Sequence, residues 1–253
     1  MPAVSFISSE LTDISYNGVQ LLSKVQIENP NSIEIPFPKI VWKIFLDGNF
    51  FIDGVIENNQ NINSRETAIV EVPVILDYLE VFESFGPLKG RSHADCKITL
   101  AVNFPIPVFE DRIWNFEYEG DIPLLQEAMF TSPIMEVLKV DAATVELYVS
   151  VNIENPNVFE LPEPRLIFDY EVYDTLIMRR RLNSSGPLAP SSVMPVVFGL
   201  LIYYKDVFQI LPMVRTEREA PGQLNLSMDF PVPAFNGETF NLQIPGTLPL
   251  PGR

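Results

Sequence analysis

Parts of this sequence occur twice, and the two copies are separated by the same number of residues throughout. Ile-Glu-Asn-Pro-Asn occupies residues 27–31 and returns at 153–157, 126 residues later. Phe-Pro-Ile-Pro at 104–107 returns as Phe-Pro-Val-Pro at 230–233, displaced by the same 126 residues. Two separate blocks with one common displacement indicate an internal duplication rather than a chance motif. The chain is therefore expected to fold as two copies of one unit.

The length of the chain suits two domains, which we predict at residues 1–127 and 128–253. Each copy has about 125 residues, enough to bury roughly 65–70% of its unfolded surface without a disulfide or a metal. The single Cys96 agrees, since one cysteine forms no intrachain disulfide. Residues 125–133, between the copies, are interpreted as a short, partly apolar linker that lets the domains touch.

Each copy opens with a half-buried β-strand that a proline ends. Residues 19–27 and 145–153 alternate with a period of two, which is typical of such a strand. Asn-Pro-Asn follows at 29–31 and 155–157. Proline removes a backbone donor and asparagine bonds to nearby backbone, so these triplets predict a bend at the strand end.

A hairpin follows in each copy. Asp47-Gly48 supplies the positive φ angles of a tight turn between strands at 39–46 and 50–56. In the second copy we take Asp174-Thr175 as the counterpart. Because threonine replaces the glycine there, we expect a longer turn or one of another type.

The remaining pattern is a proline-bearing strand, a short helix and two more strands. Pro73 and Pro195 predict strands at a sheet edge or bulge. Apolar spacings of three and four over 78–82 and 203–208 predict one helix per copy. The expected class is all-β: two tandem fibronectin-III/immunoglobulin-like antiparallel β-sandwiches, each with about seven strands and one short helix.

The order of these motifs resembles the type 2 late embryogenesis abundant family, whose domain is also called the water stress and hypersensitive response (WHy) domain. A long alternating strand ending in Asn-Pro-Asn, a Val/Met-Pro-Val step, a helix and a closing Gly-x-Ile/Leu-Pro-Leu occur in this order twice. The resemblance implies a fibronectin-III-like sandwich, a role in desiccation or stress responses, and no established catalytic set. Some relatives have been proposed to carry lipid in an apolar groove. The family motif, with a structural role, comprises Asn29, Pro30, Asn31, Asn155, Pro156 and Asn157.

The net charge of the chain limits the classes of binding partner that we expect. A formal net charge of −16 argues against nucleic acid and anionic membrane surfaces. No stretch reaches the roughly 20 apolar residues that span a bilayer, so no transmembrane segment is expected. Client proteins or lipid remain as candidate partners, and the oligomeric state is left open.

The first residues, 1–5, lack the basic start and apolar middle of a secretion signal. Two locations stay open: the cytoplasm, or the cell envelope or periplasm if an export or lipoprotein signal was trimmed from a longer chain. Bacterial members of the family that this chain resembles often carry such a signal.

Catalytic motifs are missing from the chain. It contains no Gly-x-Ser-x-Gly, no Walker lysine motif and no His-Glu-x-x-His. The lone His93 cannot by itself build a zinc site or a triad, and neither His93 nor Cys96 has a counterpart in the second copy. We therefore predict no enzyme activity, no cofactor, no metal site and no catalytic residue.

The most informative difference between the copies is an apolar run at 193–204 of the second copy. In the first copy, Asp77 is assigned to the stretch that holds 200–202. The run either fills the sandwich core, lines a groove for an apolar ligand, or forms an interface. The basic run 179–181 is interpreted as a surface strand balanced by carboxylates, with an acidic partner or lipid head groups as the alternative. The candidate ligand or interface residues are Val197, Phe198, Leu200, Leu201 and Ile202.

Three functions follow from these observations. The leading hypothesis is a non-enzymatic protective or structural protein related to desiccation or water stress. The alternative is a binding or transfer module for lipid or another apolar ligand in a groove of the sandwich. A third possibility is a spacer or assembly subunit.

Overall fold

The computed structural model describes residues 1–107, 112–183 and 186–251. The chain divides into two compact units, Met1–Gln126 and Glu127–Arg253. Each unit is built mainly from antiparallel strands and has one α-helix among its described residues. The units correspond to the two copies of the repeat.

The first unit is a sandwich of two antiparallel sheets. Its three-stranded sheet has the order β1-β2-β7 and its four-stranded sheet the order β5-β4-β8-β9, while β3 and β6 form a short separate pair. The bounds are β1 Ala3–Ile14, β2 Gly18–Glu28, β3 Ile35–Pro36, β4 Lys39–Leu46, β5 Asn49–Ile56, β6 Asn61–Ile62, β7 Thr67–Asp77, α1 Tyr78–Ser84, β8 His93–Asn103 and β9 Ile113–Pro123.

The second unit repeats this arrangement. The sheet orders are β10-β11-β14 and β13-β12-β15-β16, and a single bridge between Leu161 and Leu188 replaces the short β3-β6 pair. The all-β prediction is therefore confirmed. The bounds are β10 Met129–Val140, β11 Thr144–Asn155, β12 Arg165–Val172, β13 Thr175–Leu182, β14 Ser192–Tyr203, α2 Tyr204–Ile210, β15 Glu219–Asp229 and β16 Thr239–Pro249.

Period-two alternation places the core between the sheets. Strand β11 alternates buried and half-buried residues along its whole length, and Val145 and Val149 are completely buried. Because β11 is the middle strand of its sheet, one face packs on the core while the other faces outward. Strand β2 shows the same pattern in the first unit, as its sequence predicted.

Besides the two-residue strands β3 and β6, two long strands were not predicted from the sequence, and both lie at sheet edges. Strand β1 was not assigned. Met129 begins β10, so the interpretation of 125–133 as a linker was wrong for residues 129–133. Each of these strands contains two register shifts against its neighbour. A bulge adds one residue and reverses the alternation, which hides a strand from a period-two search.

The two hairpin turns are of one kind, contrary to expectation. Asp47 and Gly48 have φ angles of 46° and 77°, and Tyr173 and Asp174 have 50° and 55°. Both are two-residue turns with positive φ at both positions, as in type I′ hairpins. The counterpart of Asp47-Gly48 is thus Tyr173-Asp174, and the expected longer or different turn was wrong because the assignment was shifted by one residue.

The edge prolines and the helices were predicted correctly. Pro73 and Pro195 lie in β7 and β14, each of which forms an edge of its three-stranded sheet. Helix α1 begins at Tyr78, whose hydroxyl donates to the Pro123 carbonyl at 2.7 Å. The hydroxyl of Tyr204 at the start of α2 donates in the same way to Pro249, at 3.0 Å. Each helix is thereby tied to the last strand of the opposite sheet.

The two cores differ at two neighbouring positions, where a large side chain in the second unit packs against a glycine. In the second unit Tyr170 is buried, and a Cβ added at Gly222 would lie 2.4 Å from its hydroxyl oxygen. In the first unit the same two positions hold Ile44 and Cys96, 126 residues earlier. The ring of Tyr170 therefore fits in the second unit because Gly222 has no side chain. Its hydroxyl has no hydrogen-bond partner among the described residues.

Replacing Tyr170 with Phe is expected to leave the stability of the second unit unchanged or to raise it by up to about 1 kcal/mol, because the variant removes a buried hydroxyl that gains no hydrogen bond. Urea unfolding measures the difference. The matched control is Tyr204→Phe, which loses a bond and should cost about 1 kcal/mol. A loss above 1 kcal/mol in Tyr170→Phe would show that the hydroxyl has a partner.

Candidate functional site

The Asn-Pro-Asn motif of the first unit is a closed hydrogen-bonding centre. The side chain of Asn29 is fully buried. Its Nδ2 donates to the carbonyls of Ile33 at 2.9 Å, Ile62 at 3.2 Å and Asn63 at 2.9 Å. Its Oδ1 accepts from the backbone N of Asn31 at 3.1 Å and from the Asn31 Nδ2 at 3.0 Å. The amide is thus satisfied within the chain.

The second unit builds the same centre with equivalent atoms. Asn155 Nδ2 donates to the carbonyls of Phe159 at 2.9 Å, Leu188 at 3.2 Å and Ala189 at 2.9 Å. Its Oδ1 accepts from the backbone N of Asn157 at 3.0 Å and from its Nδ2 at 2.9 Å. We call each centre an asparagine latch. Since both amides are satisfied internally, the latch holds loops together and offers a ligand no free group.

Strand β14 divides the five candidate apolar residues between its two faces. Leu200 and Ile202 are only 2% and 1% exposed and face the core, with Phe198 half-buried on the same side. Val197 and Leu201 point outward and are 55% and 44% exposed. Because successive side chains of a strand alternate, the five residues do not form one surface.

Strand pairing also changes the comparison with the first unit. In the two three-stranded sheets Asp77 and Tyr203 occupy equivalent positions, so assigning Asp77 to the 200–202 stretch was wrong. Asp77 caps α1, accepting from the backbone N of Leu79 at 2.8 Å, whereas Tyr203 makes no side-chain cap to α2. The copies therefore differ in a helix cap at this position.

A cleft opens along the side of the second sandwich, between β13 and β14. These are edge strands of the two facing sheets, and the cavity between them has a volume of about 460 Å³. We call it the lateral cleft. Of the five candidate residues, Phe198, Leu200 and Leu201 line it, whereas Val197 and Ile202 do not. Its other lining residues include Phe168, Met178, Arg180, Arg181, Leu182 and Asn183.

Stacked aromatic rings form one wall of the lateral cleft. The rings of Phe168 and Phe198 lie 5.1 Å apart between centroids with an interplanar angle of 19°. Phe168 belongs to β12 and Phe198 to β14, so the stack joins the two sheets. Because Phe168 is only 3% exposed, a ligand in the cleft would contact this wall mainly through the half-buried Phe198.

Two residues of the arginine run 179–181, Arg180 and Arg181, line the cleft, and the run does not act as one unit. Arg179 forms a two-pronged pair with Asp169, with N–O distances of 2.7 and 2.6 Å. Arg180 lies opposite Phe168 in the strand pairing and therefore on the core-facing side of β13. It is exposed, and within the described part of the chain it has no ion pair. Only Arg179 matches the expected surface pair.

The equivalent edge of the first sandwich carries different side chains. Trp42 stands where the second unit has Phe168, and Gly54 stands where it has Arg180. A Cβ added at Gly54 would lie 2.3 Å from the Trp42 ring, so the indole packs directly on the glycine. Val72, equivalent to Phe198, is completely buried. In the first unit the half-buried indole of Trp42 therefore packs on Gly54, at the position where the second unit has Phe168 beside Arg180.

The only histidine and cysteine of the chain do not form a reactive pair. His93 is exposed, and its Nδ1 lies 3.0 Å from the Ser92 hydroxyl. Cys96 is buried, and this burial raises the pKa of its thiol to about 12. A thiol in that environment is protonated at neutral pH and therefore a poor nucleophile.

Neither a metal-ligand cluster nor a membrane-spanning helix occurs in the described residues. Within residues 1–107, 112–183 and 186–251, no three His, Cys, Asp or Glu side chains come together as a set of metal ligands. In those ranges, too, no helix has the length and apolar character needed to cross a bilayer.

The fold and its paired latches define a tandem β-sandwich protein, and comparison with known proteins places it among its relatives. The family described as late embryogenesis abundant protein, type 2, matches residues 24–120. The probable desiccation-related protein LEA14 of Arabidopsis thaliana is 22% identical over 123 residues, which is 49% of this chain and 82% of that protein. The desiccation protectant protein Lea14 homolog of Glycine max is also 22% identical, over 49% and 81%.

A solved structure gives a related match. The solution structure of an Arabidopsis thaliana protein covers 48% of this chain and 80% of its own, with 21% identity and a TM-score of 0.37. The aligned length of 123 residues in the curated relatives is that of one repeat. The match to residues 24–120 and the desiccation-related relatives confirm the resemblance to the type 2 late embryogenesis abundant (LEA) family that the motifs predicted.

Proposed function

We propose that this chain is a non-enzymatic protective protein of water stress, built from two type 2 LEA domains at residues 1–127 and 128–253. The family match and the desiccation-related names of the relatives support this function. The identical latch at Asn155 supports assigning the second unit to the same family, although the family match covers only the first. The two sandwiches act as folded, strongly hydrated shields between client proteins.

The observation that carries this proposal is the distribution of charge. The chain has 33 acidic residues against 17 basic ones. Several basic side chains are already paired with carboxylates, so the remaining exposed charge is predominantly negative. Such a surface stays hydrated and repels other molecules of the same sign. The paired basic residues are Lys24, Lys39, Arg91, Lys97, Lys139, Arg165 and Arg179.

A desiccation assay tests protection directly. Lactate dehydrogenase is dried and rehydrated with this protein, or with an equal mass of an unrelated folded acidic protein of matched charge. We expect a larger fraction of enzyme activity and less light scattering with this protein than with the control. Equal recovery in both samples would end the shielding proposal.

A variant with fewer surface charges tests whether protection depends on the acidic surface or on the fold alone. Glu34, Glu83, Glu160 and Glu219 are exposed carboxylates, and replacing all four with Gln removes four negative charges. If hydration and repulsion cause the protection, the variant should protect less while keeping its circular dichroism spectrum. Undiminished protection would contradict the role of surface charge.

Binding or transfer of lipid or another apolar ligand is the second candidate function, and the lateral cleft favours it. A cavity of about 460 Å³ lies within the range of roughly 300–1,000 Å³ typical of small-molecule sites. Native mass spectrometry of the gently purified protein should then show a bound mass of lipid size. Protein that is bare in every preparation would count against this function.

A further inference from the structure

We infer that the lateral cleft of the second unit binds one single-chain anionic amphiphile, with its acidic head on Arg180 and its alkyl chain along Met178, Leu182 and Phe198. The inference rests on the second candidate function above and names its ligand class. It concerns the second unit alone, and three observations carry it.

The first observation is the apolar interior of the cleft. Leu200 is buried at its base, and Met178 and Leu182 project from β13 on the side that faces the core. Met178, Leu182 and Phe198 are half-buried, so these three side chains present the apolar surface between the sheets that a ligand can cover. An alkyl chain that covers this surface is removed from water, which favours binding in proportion to the area buried.

The second observation is the unpaired cation at the mouth. Arg180 projects from the core-facing side of β13, and the described residues give it no carboxylate partner. A guanidinium matches a carboxylate or phosphate with two parallel hydrogen bonds. In a chain of net charge −16, an unpaired arginine beside an apolar surface is complementary to an acidic amphiphile.

The third observation is the contrast with the first unit. Trp42 and Gly54 stand where the second unit has Phe168 and Arg180, so the described residues of that edge lack this cation, and the indole packs on the glycine. The predicted stoichiometry is therefore one ligand per chain, not two. The net negative charge also disfavours docking on an anionic bilayer, so the occupant is a free single chain that enters the cleft.

Calorimetric titration with sodium dodecanoate below its critical micelle concentration tests the assignment. We expect saturable binding of one dodecanoate per chain, with weaker binding of dodecanol and of dodecyltrimethylammonium. Arg180→Gln should weaken dodecanoate binding at least about tenfold, because it removes the charge-assisted hydrogen bonds to the acidic head. Arg218→Gln is the matched control, since it removes an exposed arginine of the same unit that does not line the cleft.

A double variant tests the contribution of shape. Phe168→Trp combined with Arg180→Gly gives the second unit the side chains of the first. Binding should be lost while circular dichroism and the urea midpoint show an intact fold. If this variant does not fold, the test rests on Arg180→Gln and on the comparison of dodecanoate with dodecanol and dodecyltrimethylammonium.

The possible outcomes are distinct. Equal binding of dodecanoate, dodecanol and the cationic surfactant would overturn the role of Arg180. Two equivalent sites per chain, or no binding at all, would overturn the site. None of these results affects the desiccation assay, so shielding can succeed where the ligand site fails.

Discussion

Replacing Asn155 with Asp is expected to destabilise the second sandwich by at least about 3 kcal/mol. The substitution removes the Nδ2 donor and points a carboxylate at the carbonyl oxygens of Phe159, Leu188 and Ala189. A buried polar group without a partner costs about 1–3 kcal/mol, and an unpaired buried charge costs more. Asn155 is completely buried, so water cannot replace the lost bonds without opening the loops.

The chain offers a way to assign this loss to one sandwich. Its two tryptophans, Trp42 and Trp114, both lie in the first unit, so tryptophan fluorescence reports that unit alone. In urea, Asn155→Asp should lower the midpoint seen by circular dichroism and leave the fluorescence midpoint in place. Asn152→Asp, on the outward face of the same strand, is the matched control and should cost under about 0.5 kcal/mol. Equal losses in both variants would mean that the latch does not hold the fold.

Replacing Tyr78 with Ala is expected to destabilise the first sandwich by about 3–5 kcal/mol. The ring is completely buried and stacks on Phe82 with centroids 6.0 Å apart. Its hydroxyl donates to the Pro123 carbonyl at 2.7 Å, which ties the start of α1 to the end of β9. The variant therefore leaves a cavity and also an unpaired carbonyl.

A graded series separates these two losses. Tyr78→Phe keeps the ring and should cost only about 1–2 kcal/mol, the contribution of the hydroxyl bond. Tryptophan fluorescence in urea should record both losses, because Tyr78 lies in the first unit. If Tyr78→Phe costs as much as Tyr78→Ala, the ring contributes little and the packing explanation is wrong.

Regular alternation made the central strands predictable from the sequence. Strands β2 and β11 bury one face throughout, so their apolar residues recur every second position. The edge strands β1 and β10 were not predicted because bulges interrupt their alternation, as between Phe6 and Ser8. The sequence therefore predicts the fold class well and the sheet edges poorly.

The motif residues were predicted as strand ends, but their full role was not. Asparagine after a strand predicts a local bond to the backbone, and Asn29 does bond locally through Asn31. Its bonds to Ile62 and Asn63 join residues more than thirty positions away. Such partners depend on how the loops pack, which no local pattern contains.

The lateral cleft shows the same limit at the candidate site. The apolar run predicted β14 as a candidate part of a site, and β14 does line the cleft. The pattern did not show which of its side chains face the core. The decisive neighbours, Phe168 and Arg180, come from β12 and β13 and meet β14 only through sheet packing. Their contrast with Trp42 and Gly54 becomes visible once the strand register is known.

The central claim is that one fold is duplicated and that the ligand binds the lateral cleft of the second unit. Among the described residues, the cleft cation Arg180 has Gly54 as its counterpart in the first unit. An NMR titration of isotopically labelled protein with dodecanoate tests it most directly. We predict shifts of the amide signals of Met178, Arg180 and Phe198, with no change at Trp42 and Gly54. Shifts of similar size in both units, or an absence of shifts at Arg180 and Phe198, would contradict the claim.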